Sequence, residues 1–179
     1  EIKKLKKLKS VSLKFFEITD DIIEAINELK HLEHIEFSMC IFKNKKMILG
    51  NLMSIIISNC QNFAIDMLKE NTTIEELQII HSGIINISDL SKFKSLKYLK
   101  IAHCSAISIP SISILEDLEQ LYLNYLEIPY EIDISKMKKL KLISLSGSNV
   151  PNKDKYIQKL SSQNKELTVI FEENDLPIE

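Results

Sequence analysis

Apolar residues recur along this chain in pairs two residues apart, and the pairs return at a step close to 22 residues. The stretches LKSVSLKFFEI (8–18), LEHIEFSMCIF (32–42), LMSIIISNCQN (52–62) and IEELQIIHSGI (74–84) align with one another. LKYLKIAHCSA (96–106), LEQLYLNYLEI (118–128) and LKLISLSGSNV (140–150) continue the series, and NKELTVIFEEN (164–174) is a degenerate last copy. Their starts step by 24, 20, 22, 22, 22, 22 and 24 residues. Positions 1, 4, 6 and 11 of the template are apolar in 29 of 32 cases, where the overall 45% hydrophobic content would fill about 14.

Positions 4 and 6 lie on the same side of an extended chain, and position 5 lies on the other. Each copy therefore predicts one short strand: 11–13, 35–37, 55–57, 77–79, 99–101, 121–123, 143–145 and 167–169. A single rung cannot bury its own apolar side, but stacked rungs bury a continuous core. The chain must then return to the start of the next rung along the opposite side. Ile87, Leu90, Phe93 and Leu96 stand three apart in 85–96, as a helical or 3₁₀ return requires. DDIIEAINELK (20–30) predicts a fuller amphipathic helix with Asp20 as its N-cap. KNKKMILGNL (43–52) is short for a return, so irregularity is expected there.

The pattern L-x-x-L-x-L-x-x-N/C-x-L resembles the leucine-rich repeat (LRR), in its short class of about 22 residues. The resemblance implies an α/β fold. It would be a curved right-handed solenoid of about eight parallel rungs, with helical or 3₁₀ returns on the convex side. We read 1–179 as a single LRR domain with 151–179 as its C-terminal cap. EIKKLKKL fits the closing half of an upstream repeat, so an N-terminal cap or upstream segment is expected to be missing.

Composition narrows the function classes. Net charge is −2, and all 23 basic residues are lysine. With no arginine for bidentate phosphate or guanine readout, nucleic acid is not an expected partner. No apolar run is long enough for a membrane span. Three cysteines without paired spacing argue against a disulfide framework and favour a cytoplasmic setting. A secreted effector stays open, because the chain starts at Glu1. Gly50, Gly83 and Gly147 are the only glycines, so no phosphate-cradling loop is expected. Asn71 and Asn86 each begin an Asn-x-Ser/Thr triplet, a number that chance supplies.

The adjacent His103 and Cys104 invite a reading as a catalytic pair. Template position 9, however, holds all three cysteines: Cys40, Cys60 and Cys104, with Ser82 and Ser148 in the same column. In LRR proteins this column is an inward ladder that satisfies backbone groups left unpaired by the bend after the strand. The resemblance thus makes Cys40, Cys60, Ser82, Cys104 and Ser148 structural, with buried, inert thiols. Position 8 points the other way and carries His81 and His103. Two imidazoles fall short of the three or four ligands that zinc requires, so no metal and no cofactor are expected.

The outward columns of the middle rungs gather Tyr98, Lys100, His81, His103, Gln120, Tyr122, Asn124 and Tyr125. Tyrosine joins apolar area to a hydroxyl at low entropic cost and is frequent among interface hot spots. The expectation is a noncatalytic, monomeric module that binds a protein or peptide on its concave face, as adaptor, regulator or secreted effector. Two other readings stand beside it. One is a structural subunit docking by its convex face or an edge, and the other is the noncatalytic part of a longer enzyme.

Overall fold

The computed structural model describes residues 4–172 apart from 44–45, 50–51, 69–70, 87–89, 91 and 109–111. Eight parallel strands form one sheet among the described residues. In order across the sheet they are β1 (Ser10–Lys14), β3 (His34–Ser38), β5 (Ser54–Ser58), β6 (Glu76–Ile80), β8 (Tyr98–Ala102), β10 (Gln120–Asn124), β11 (Leu142–Ser144) and β12 (Thr168–Ile170). Sequence order and spatial order coincide, as a stack of successive rungs demands. The register is unbroken: Val11, Ile35, Ile55, Leu77, Leu99, Leu121 and Ile143 stand side by side. Phe37, Ile57, Ile79, Ile101 and Leu123 form a second inward line, each wholly buried.

A corner follows each strand, and a second, shorter parallel ladder follows the corner. β2 (Glu17–Ile18) pairs with β4 (Ile41–Phe42), and β7 (Ile84–Asn86) pairs with β9 (Ser105–Ser108). Single bridges, Ile41 to Gln61 and Glu127 to Asn149, extend the same feature. The pattern at positions 4 and 6 carries no signal for this ladder.

The returns use residues three apart. Phe93 N–H donates to Leu90 O and Leu96 N–H to Phe93 O. Leu115 and Leu118, like Met137 and Leu140, repeat this with Ile112 and Ile134 as the first acceptors. Three residues per turn align side chains i and i+3, so all of these apolar residues face the core. Ile65–Leu68 and Ile112–Ile114 are 3₁₀ turns. Ile87, the first of the three-apart apolar residues in the predicted 85–96 return, lies outside the described residues, as does Gly50. Ile84–Asn86 begins that return as strand, not helix.

α1 (Asp20–Asn27) is present, but its N-cap is Thr19, with Asp20 as the first helical residue. An acidic pair in the first turn suits the helix dipole without any cap bond. In the short return, Met47, Leu49 and Leu52 are buried. Asn71 fastens it: its carbonyl accepts from Leu49 N–H at 2.7 Å, and its amide donates to Met47 O at 2.5 Å and Leu68 O at 3.0 Å.

The last rung departs from the sequence alignment. Val169 stands opposite Ile143 and Ile170 opposite Ser144, two residues later than NKELTVIFEEN places them. Phe171 thereby falls at a core position, not in the outward position-8 column, and it is buried. The cause is α2 (Lys153–Gln163), whose C-cap is Asn164, the residue aligned as the start of that copy. Asn164 donates its amide to Leu140 O at 2.7 Å. Tyr156 on α2 is buried and ties the helix down, its hydroxyl accepting from Ile132 N–H and donating to Tyr130 O.

Candidate functional site

Position 9 faces inward after the corner. Cys40 Sγ donates to Leu13 O at 3.3 Å, Cys60 Sγ to Phe37 O at 3.4 Å, and Cys104 Sγ to Ile79 O at 3.7 Å. Ser148 Oγ donates to Leu123 O at 2.7 Å. Each acceptor is the position-6 carbonyl of the preceding rung. Ser82 and Ser148 also accept, from Cys60 N–H and Leu126 N–H. Phe16, the column's first member, does not turn in and is 49% exposed. Burial pushes the Cys60 and Cys104 thiols up in pKa, away from the reactive thiolate.

The corner itself sits one residue earlier. Phe15, Met39, Asn59, His81, His103, Tyr125 and Gly147 all have positive φ, between 48° and 66°. The N–H groups of the first six remain in the ladder, each bonded to the next rung's position-7 carbonyl from Phe15 to Ser38 O through Tyr125 to Ser146 O. The chain then reverses into the core through a left-handed residue. Asn and Gly suit that conformation, whereas a bulky side chain there costs about 1–2 kcal/mol. Three of these seven corners carry Phe, Met or Tyr, and two carry His, which like Asn adopts this conformation more readily.

Three of those side chains stack. The His81 and His103 rings are 4.2 Å apart at 8°, and His103 and Tyr125 are 4.1 Å apart at 11°. His103 is therefore sandwiched, and desolvation, followed by the His81 charge, holds its pKa below the ordinary value. His103 and Cys104 thus stand on opposite sides of the corner.

A groove of about 490 Å³ runs along the open face of the sheet beside this stack. One wall is His81, His103 and Tyr125; the floor is Ile80, Ala102, Asn124, Ser146 and Glu172; the other wall is Lys100, Tyr122, Ser144 and Ile170. These are template positions 8, 7 and 5 of five successive rungs. Ala102, Ser144 and Ser146 are small and buried, which gives the groove its depth. Ser144 Oγ donates to Asn124 Oδ1 at 2.8 Å, so part of the floor is already satisfied.

The groove brings together six of the outward residues read from the sequence: His81, Lys100, His103, Tyr122, Asn124 and Tyr125. Tyr98 and Gln120 stand one column further out, at position 3. Tyr98 packs on Tyr122 at 5.2 Å, and burial, with Tyr122 and Glu76 nearby, pushes its phenol up to about 12. Burial also raises Tyr122. Phe15 and Met39, 77% and 50% exposed, prolong the position-8 ridge beyond the residues singled out by sequence. Among the described residues no three His, Cys, Asp or Glu side chains converge as metal ligands. No helix among them is long and apolar enough to cross a membrane.

No protein-family model matches the chain, and no curated protein matches it in sequence. Solved structures match it in fold. An internalin (inlF) from Listeria monocytogenes superposes with a TM-score of 0.67 at 21% identity, covering 99% of this chain and 50% of its own. Internalin C2 from the same organism gives 0.61 at 17% identity, covering 91% of this chain and 80% of its own. A TLR13–ssRNA13 complex gives 0.62 at 14% identity, covering 96% of this chain and 33% of the matched one. This chain spans half the length of the first internalin. The likeness is one of fold: the chain is a leucine-rich-repeat solenoid.

Proposed function

We propose that this solenoid is a noncatalytic binding module that takes a protein or peptide partner on its concave face, along the groove and the position-8 ridge. The observation that carries this is the use of bulky side chains at left-handed corners. Phe15, Met39 and Tyr125 occupy positions where Asn, His or Gly would be more at ease, and all three are exposed. Core packing does not call for them. Large side chains held at a conformational cost on an exposed ridge are what an interface uses.

Eight rungs at about 4.8 Å give a face roughly 35 Å long, enough for a standard-size interface. The internalins and TLR13 supply the fold in which such a face is built, and the RNA in the TLR13 complex belongs to that protein. Partner capture by Tyr122→Ala and Tyr125→Ala, compared with the parent chain, tests the reading. Binding weakened with unfolding transitions nearly unchanged supports it. Undiminished binding in both variants moves the site to another face.

A further inference from the structure

We propose that the groove recognises an extended acidic peptide segment, with a carboxylate on Lys100 Nζ and a neighbouring planar side chain held between Tyr122 and Tyr125. This rests on the concave-face reading above and names the chemistry of its partner.

Charge points to the acid. Several lysines pair with an acid on a neighbouring rung: Lys9 with Glu33 at 2.9 Å, Lys97 with Glu75 at 2.8 Å, Lys141 with Glu119 at 3.1 Å. Lys43, Lys139 and Lys153 have Glu17, Asp117 and Glu172. Lys100 has no ion pair among the described residues, and it is half-buried in the groove wall. Its in-register neighbours are Gln78 and Tyr122, neither an anion. The Gln78 amide donates to Glu76 and the Tyr122 hydroxyl to Gln120, so both are turned along their own strands. A half-buried ammonium in a groove walled by rings is a place where an incoming carboxylate is worth most.

Shape points to the planar neighbour. Tyr122 and Tyr125 rise from opposite walls of the same rung, with Asn124 between them on the floor. On the next rung the small, buried Ser144 of the wall and Ser146 of the floor leave room beside the rings.

The same features argue against a nucleic-acid strand. A phosphodiester chain needs a run of cations, and the groove has one lysine. Glu172 stands in the floor column three rungs from Lys100, about 14 Å at the usual strand spacing. With Glu36 and Glu76 further along the open face, these acids confine the peptide's carboxylate to the Lys100 position and exclude a segment that is acidic along its whole length.

The test is a selection of random peptides displayed on phage, run in parallel on the parent chain, on Lys100→Glu and on the double variant Tyr122→Ala/Tyr125→Ala. Circular dichroism first establishes that each variant is folded. The parent is expected to enrich Asp or Glu next to Phe, Tyr or Trp, and Lys100→Glu to enrich Lys or Arg instead. The best peptide, labelled and titrated, should lose about tenfold or more in affinity for Lys100→Gln, as for one charge-assisted hydrogen bond. Winners that lose affinity on the tyrosine variant but lack an acid, or ignore Lys100, overturn the acidic assignment and leave peptide binding standing. Winners indifferent to both variants, or no enrichment, overturn both. Oligouridylate bound more tightly than any peptide, and released by Lys100→Glu, gives the groove to nucleic acid and overturns the proposal.

Discussion

The Tyr125 ring lies directly on the bare Cα of Gly147. A β-carbon built on Gly147 would sit 2.4 Å from both Cδ1 and Cε1 of Tyr125. The glycine thus seats the last ring of the stack, and through it the sandwich that holds His103. It is also a corner residue, with φ at 66°.

Gly147→Ala should therefore act twice. The corner conformation is unfavourable for alanine by about 1–2 kcal/mol, and the methyl group displaces the Tyr125 ring. Unfolding in urea should show the loss of stability. The chain has no tryptophan, so the near-ultraviolet circular dichroism of its tyrosines should report the unstacking. A variant with parental stability and an unchanged tyrosine spectrum would contradict the contact.

Asn71 is 3% exposed, and its side chain makes three hydrogen bonds that join two returns. Removing it strands the Leu49 N–H and the Met47 carbonyl, each loss being worth about 1–3 kcal/mol when no replacement partner arrives, while Leu68 O keeps the Asn71 backbone N–H. Asn71→Ala should lower the urea midpoint far more than Asn149→Ala, whose amide makes an exposed bond to Glu127. Equal effects would mean that water replaces Asn71. The same burial keeps the Asn71 triplet from a glycosyltransferase once the chain has folded.

The strands were legible because residues such as Leu99 and Ile101 sit two apart in every copy, a spacing that only a half-buried strand explains. The column at position 9 was legible for the same reason. The stack was not. His81, His103 and Tyr125 were visible as neighbours in a column, but the left-handed backbone that raises them is signalled in the sequence only by Asn59 and Gly147. Phe15 and Met39 mask it, since bulky residues rarely adopt that conformation. The last rung misled for a different reason. Asn164 caps α2 rather than opening a repeat, and the polar sequence of that helix gives little apolar periodicity to reveal it.

His103 should titrate below the ordinary 6.5, because desolvation between two rings opposes its charge and protonated His81 adds repulsion. The folded chain then prefers neutral His103 more than the unfolded chain does. The resulting stability is fully present above the ordinary value and is lost as pH falls through the lowered one. Proton NMR titration of the imidazole resonances measures this directly. His81→Gln should raise the His103 midpoint only part of the way, since burial is the larger cause. A parental midpoint at or above 6.5 would refute the sandwich as the source.

Met39→Asn separates the structural from the functional account of the ridge. Met39 is half exposed with φ at 53°, a conformation that asparagine tolerates and methionine does not. If the side chain serves only the corner, nothing is lost with it, and the substitution should stabilise the fold by about 1 kcal/mol. If the ridge also holds a partner, the same variant should gain stability and lose affinity, a trade-off common at binding surfaces. Thermal unfolding and titration with a captured partner, measured on one preparation, read both quantities. A less stable Met39→Asn would show that methionine packs at the corner, and the argument from left-handed residues would fail for this rung.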